Sequence, residues 1–156
     1  MPVPPISTQH RQPSRGLHTR SNALRIFICD DDFSFSAELA GFLASSGFEV
    51  KTLRDGKSPI DIFELFRPDI VFLDIYMPPP DGFEIMNHIA QDTRQRDITM
   101  ILMSGATDSV LEVARRFCQA REIKAAAVLS KPIRLADVIK LCKEHPRATS
   151  AQTGGA

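Results

Sequence analysis

The sequence predicts an α/β domain in which a parallel sheet is covered by helices on both faces. Three observations lead there. The chain has 156 residues, the size of one domain with some tail. Short apolar runs alternate with longer stretches of helical period five times over. Four of the five runs are continuous rather than alternating, which is how strands covered on both faces read. Repeated strand–helix units of this kind close into a parallel sheet through right-handed crossovers.

The elements follow in order. Arg25-Ile-Phe-Ile-Cys29 is the first apolar run, and Phe35, Leu39, Phe42 and Leu43 then recur at i, i+4, i+7 and i+8 as one helix face, ending at Gly47. Phe48-Glu-Val-Lys-Thr52 alternates, as an edge strand does. Ser58-Pro59 reads as an N-cap followed by proline at the first helical position, opening a helix that buries Phe63 and Phe66. Asp69 to Leu73 is the third strand, followed by a helix marked by Ile85, Met86 and Ile89. Thr99 to Met103 is the fourth, with Val110, Ala114 and Phe117 on the helix after it. Ala125 to Leu129 is the fifth, expected to be covered on both faces, with Leu135, Val138, Ile139 and Cys142 on the last helix.

Composition narrows the class. Hydrophobic residues make up 43% of the chain, and no apolar run approaches the ~18 residues of a membrane span. Residues 1–25 contain Arg11, Arg15, Arg20 and Arg25 and no acid. The remaining 15 basic and 19 acidic side chains (19 − 4 against 19) leave the body at a formal −4. A mildly acidic body gives no reason to expect nucleic-acid binding. Cys29, Cys118 and Cys142 are odd in number, widely spaced and set among apolar neighbours, which fits reduced cytoplasmic thiols. His88 and His145 are expected to be exposed helix residues. Residues 1–23 hold four prolines and few large apolar groups and are expected to be a disordered tail. Residues 146–156 are expected to behave likewise, leaving 24–145 as the folded part.

Ligands of open α/β sheets bind beyond the carboxyl ends of the strands. There the chain places Asp30-Asp31-Asp32 after the first strand, Asp74 after the third, Ser104 after the fourth and Ser130-Lys131-Pro132 after the fifth. Carboxylates converging at one end repel one another unless a cation joins them. A hard divalent ion such as Mg2+ suits that ligand set and leaves coordination room for a phosphoryl group. Lys131 and the Ser104 hydroxyl are donors suited to phosphoryl oxygens, and an aspartate beside a metal can itself be the nucleophile. One of the three consecutive aspartates, Asp32, is the candidate for a helix cap alone.

On these residues the chain resembles the receiver domain of two-component response regulators. The resemblance covers about residues 24–145. It is carried by Cys29-Asp-Asp-Asp32, by Asp74-Ile-Tyr-Met-Pro-Pro-Pro-Asp-Gly82, by Ser104 and by Lys131-Pro132 in that order. It implies a doubly wound, flavodoxin-like (βα)5 sheet with strand order 2-1-3-4-5. It implies Asp74 as phosphoacceptor, Asp31 binding Mg2+ directly, Asp30 acting mostly through water, and the Tyr76 main-chain carbonyl as a further metal ligand. Lys131 would pair with the phosphoryl group, its bond to Pro132 would be cis, and Ser104 would move inward on phosphorylation. The implied donor is a sensor histidine kinase or a histidine phosphotransfer protein. The expected output is an unidentified downstream protein or onward transfer in a phosphorelay, from a stand-alone, cytoplasmic monomer or weak dimer that catalyses only its own phosphorylation and dephosphorylation.

The chain departs from the family at one switch position. Receivers usually carry an aromatic residue three positions before the lysine, and here that residue is Val128. A degenerate receiver acting as a phosphorylation-independent binding module is therefore the alternative. A haloacid-dehalogenase-type phosphatase would want a second acid two residues after the nucleophile, where this chain has Tyr76. The bulk of Tyr76 could also shield an acyl phosphate from water, with Ala106 leaving the opposite side open.

Overall fold

A computed structural model describes residues 22–56, 58–92, 97–105 and 107–148. Residues 1–21 and 149–156 of the expected tails, and Ala106, lie outside the described residues. Five parallel strands lie in the order β2-β1-β3-β4-β5. They are β1 (Arg25–Cys29), β2 (Glu49–Thr52), β3 (Ile70–Asp74), β4 (Thr99–Ser104) and β5 (Lys124–Ser130). The helices are α1 (Phe33–Ser45), α2 (Pro59–Phe66), α3 (Gly82–Gln91), α4 (Asp108–Ala120) and α5 (Leu135–Lys143). Among the described residues no helix is long and apolar enough to cross a membrane.

Side chains alternate between two cores because successive residues of a strand point to opposite faces. Phe27, Cys29, Val71, Leu73, Met100 and Leu102 face α2, α3 and α4. Ile26, Ile28, Ile70, Phe72, Ile101 and Met103 face α1 and α5. Every residue of β3 and β4 is buried, which is why those runs contain no alternation.

The helix boundaries have local causes. The Ser58 hydroxyl accepts from the Asp61 N–H at 3.1 Å and Pro59 opens α2, as its sequence predicts. α1 ends where Gly47 takes φ +91, a conformation costly for any residue with a Cβ. Its N–H donates to Ala44 O at 3.0 Å.

Three expectations are corrected. β5 is not covered on both faces: it forms the second edge of the sheet, and its two ends and Ala126 are exposed. Its alanines are small enough to be continuous in hydropathy without burying much area. The pairing of β5 with β4 slips at Met100/Ile101, leaving Ala126 as the extra residue of a bulge. On α4, Val110, Ala114 and Phe117 pack on the core as the sequence predicts, with Leu111 and Cys118 buried beside them. His88 is half-buried with Nε2 enclosed, and His145 is only 9% exposed. His145 lies just past α5, and its Nδ1 accepts the Arg147 N–H at 3.2 Å. The packed chain also runs beyond 145, because Arg147 pairs with Asp69 and Ala148 packs against the α1–α5 core.

Candidate functional site

The carboxyl ends of β1, β3 and β5 bring Asp30, Asp74 and Lys131 together. β1 and β3 are neighbours, so residues that follow Cys29 and Leu73, themselves paired, emerge side by side. Lys131 Nζ donates to Asp30 Oδ2 at 2.6 Å and to Asp74 Oδ2 at 3.2 Å. Asp30 is fully buried and Asp74 is 5% exposed. Asp31 is exposed beside them, and one carboxylate oxygen from each of the three lies within 4.8 Å of the others.

The remaining acceptors are held by main-chain donors. Asp30 Oδ1 accepts the Asp32 N–H at 2.9 Å, and Asp74 Oδ1 accepts the Tyr76 N–H at 3.1 Å. Both oxygens of each buried carboxylate are therefore fixed in direction. Asp32 is the N-cap of α1, its side chain accepting the Phe35 N–H at 3.0 Å. Ser36 ties the same turn to the site by donating from its hydroxyl to Asp30 O at 3.2 Å.

Charge does not balance here. Three carboxylates cluster where one ammonium pairs with two of them, leaving two formal negative charges (3 − 1) in a largely buried place. Burial and then the neighbouring Asp30 charge push the Asp74 carboxyl above its ordinary value, against the opposing pull of Lys131 and the Tyr76 N–H. Burial works against the charge on Lys131, but its hydrogen bond and attraction to Asp30, and then to Asp74, raise its pKa overall. An all-oxygen donor set with a formal deficit of two suits a hard divalent cation, so the residues present fit such an ion.

The loop after β3 is set by steric approach. A Cβ on Gly82 would lie 2.7 Å from Ile75 Cα and 2.9 Å from Asp74 O, so α3 begins as close to the site as only glycine permits. Asp81 caps that helix in a reciprocal box with Glu84. The Pro79–Pro80 and Lys131–Pro132 bonds are both cis, the second as the resemblance implied.

The other expected residues fall nearby. Ser104 ends β4, fully buried, one residue beyond the Met103 that pairs with Asp74, and its carbonyl accepts the Lys131 N–H at 2.9 Å. Tyr76 is 60% exposed. Val128 is half-buried on β5, paired with Leu102 and packed against the α2–α4 core.

One contact was not anticipated. Lys131 Nζ sits over the ring of Phe35 at 5.0 Å from its centroid. Helical period assigns Phe35 to the core, and it does pack there. The signal available was its place three residues after Asp32, in the turn that opens at the site.

Similarity to known proteins extends this picture. The pattern of the response regulator receiver domain matches residues 26–143. Two-component response regulator ORR5 of Oryza sativa subsp. japonica is 28% identical over 83% of this chain and 92% of its own length. Response regulator MprA of Mycolicibacterium vanbaalenii is 30% identical over 84% of this chain, which spans 54% of that protein. "Probable transcriptional regulator ycf27" of Cyanophora paradoxa is 32% identical over 56% of this chain, which spans 35% of it. Among solved structures, chemotaxis protein CheY4 of Vibrio cholerae superposes with a TM-score of 0.67 at 20% identity, covering 79% of this chain and 98% of its own. A CheY-like receiver domain protein of Methanospirillum hungatei superposes with 0.66 at 23% identity, covering 85% and 99%. The sheet order, the acidic pocket and the match over most of the chain together make this a member of the response regulator receiver domain family.

Proposed function

We propose that this receiver domain works as a phosphorylation-dependent signalling switch that accepts a phosphoryl group on Asp74. The donor is a phosphohistidine of a sensor histidine kinase or a histidine phosphotransfer protein. The observation that carries this reading is the charge deficit: Asp30, Asp31 and Asp74 cluster together, and the Lys131 ammonium pairs with only two of them. In a structural ion cluster such a surplus is a cost, whereas a site for Mg2+ and a phosphoryl group needs it.

Asp30, Asp31, Asp74 and the Tyr76 carbonyl are the groups assigned to the ion, and when bound Mg2+ supplies positive charge to the phosphoryl oxygens. A carboxylate oxygen of Asp74 attacks phosphorus, the P–N bond of the donor breaks as the new P–O bond forms, and the imidazole leaves with the bonding pair. The Tyr76 N–H and Lys131 hold the attacking carboxylate in one orientation. Lys131 and Ser104 are the donors assigned to the transferred group. Attack of water on phosphorus returns Asp74 and inorganic phosphate, so the turnover is the protein's own rather than that of an enzyme on a free substrate.

Phosphorylation shifts the population between two packings of the α4–β5 surface. Val128 puts a short branched side chain where an aromatic lever would swing, so the shift runs through Ser104 and Lys131. The output is binding of a downstream protein, or onward transfer in a phosphorelay, in the cytoplasm.

The test is incubation of the purified chain with acetyl phosphate and Mg2+, read by intact mass. A single phosphoryl adduct that is lost in Asp74→Asn supports the reading. Absence of an adduct, from acetyl phosphate and from a phosphorylated phosphotransfer protein alike, contradicts it and leaves the phosphorylation-independent binding module.

A further inference from the structure

Lys131 is held on three sides. Asp30 and Asp74 accept from Nζ at 2.6 and 3.2 Å, and the face of Phe35 lies 5.0 Å away. An aromatic face attracts a cation through its quadrupole without occupying an N–H in a conventional hydrogen bond. Two of the three ammonium donors are committed to carboxylates, so a third carboxylate would take the last, whereas a ring leaves it for a phosphoryl oxygen.

The ring itself is fixed from below. Asp32 caps the Phe35 N–H at 3.0 Å, Ser36 anchors the same turn to Asp30 O, and the Phe35 side chain packs on the α1–α5 core. Phe35 and Lys131 line one cleft together with Asp32, Leu39 and Pro132. The third aspartate thus reaches the site through the backbone of α1.

We infer that Phe35 is a positioning residue for phosphoryl transfer, holding the Lys131 ammonium against Asp74 through its aromatic face. This rests on the phosphoryl-acceptor reading above. If it holds, removing the ring face while keeping apolar bulk slows phosphorylation without unfolding the protein.

The experiment compares wild type, Phe35→Leu and Phe35→Tyr, each also in a Lys131→Gln background. The initial rate of adduct formation with acetyl phosphate and Mg2+ is read by intact mass, with melting temperature as the folding control. Phe35→Leu is expected to be about fivefold slower, Phe35→Tyr to match wild type within about twofold, and the Leu substitution to add nothing once Lys131 is gone. The Lys131 side-chain methylene protons should show an upfield ring-current shift by NMR in wild type and Phe35→Tyr that disappears in Phe35→Leu. A wild-type rate in Phe35→Leu overturns the inference. So does an equal loss in Phe35→Tyr, a loss that persists without Lys131, or an unshifted Lys131 in wild type. If every arm including wild type stays free of phosphate with acetyl phosphate and with a phosphorylated phosphotransfer protein alike, the phosphoryl-acceptor reading itself fails and takes this inference with it.

Discussion

The two ends of the sheet use the same charged residue types to opposite effect. At the amino ends of the strands, Asp69 accepts the Arg25 N–H at 2.9 Å on one oxygen and pairs with Arg147 on the other. Arg25 pairs with Glu49 at 3.2 Å, donates to Phe66 O at 2.7 Å, and lies over the Phe66 ring. Two guanidinium groups meet two carboxylates, and the charge closes. At the carboxyl ends, three carboxylates meet one lysine and it does not. A balanced set is what a fold keeps for its own stability. An unbalanced one, built from rigid strands, is a cost that a ligand must offset.

The sharpest way to break this contrast is at the balanced end. Asp69→Ala removes the partner of two buried or half-buried donors and is expected to lower unfolding free energy by roughly 3 kcal/mol in urea titration, while leaving Mg2+ binding intact. At the unbalanced end the large effect comes from adding a ligand. Mg2+ at a hundredfold excess over its Kd should stabilise the native state by about 2.7 kcal/mol. Asp31→Asn should remove most of that gain, read as the shift in melting temperature with and without the ion. If Mg2+ stabilises Asp31→Asn as much as wild type, the ion binds elsewhere.

Gly82→Ala is next, expected to cost about 2 kcal/mol because its Cβ meets main-chain atoms of Asp74 and Ile75 that cannot rotate away. It should also slow phosphorylation, since those atoms carry the acceptor. The smallest effect has the opposite sign. Asp74 holds its proton more tightly in the native state than its ordinary value of 3.8, so across the window above 3.8 the native state binds more protons than the unfolded one. Stability from this group therefore falls as pH rises through that window. Asp74→Asn should flatten that fall and raise the melting temperature slightly at neutral pH in the absence of Mg2+. A melting temperature lowered at neutral pH would mean that Asp74 is structural.

Much of the site was legible in the chain because it depends on order: Asp74 and Ser104 end a strand, Asp30 and Lys131 follow one, and parallel strands deliver such residues to one edge. The sequence also supports reading Asp32 as a cap rather than as a metal ligand. What was not legible depends on neighbours across the fold. β5 is apolar enough to pass for a central strand, yet its position at the edge follows from sheet order and not from its own residues. His145 is polar and lies just past a helix end, yet the fold leaves it only 9% exposed, and burial pushes its pKa down. The Asp69 cluster joins residues 44 and 78 positions apart, a separation that local pattern does not reach. Phe35 carries two roles at once, and the helical period reports only the core one.

The most direct test of the central claim is the position of the phosphoryl bond. After reaction with acetyl phosphate and Mg2+, borohydride reduces an acyl phosphate of aspartate to homoserine, which peptide mass spectrometry locates. The account predicts homoserine at position 74 alone, dependent on Mg2+ and absent in Asp31→Asn at limiting ion. Phosphate carried by Ser104, His88 or His145 with Asp74 unmodified, or no label at any residue from acetyl phosphate and from a phosphorylated phosphotransfer protein alike, would contradict it.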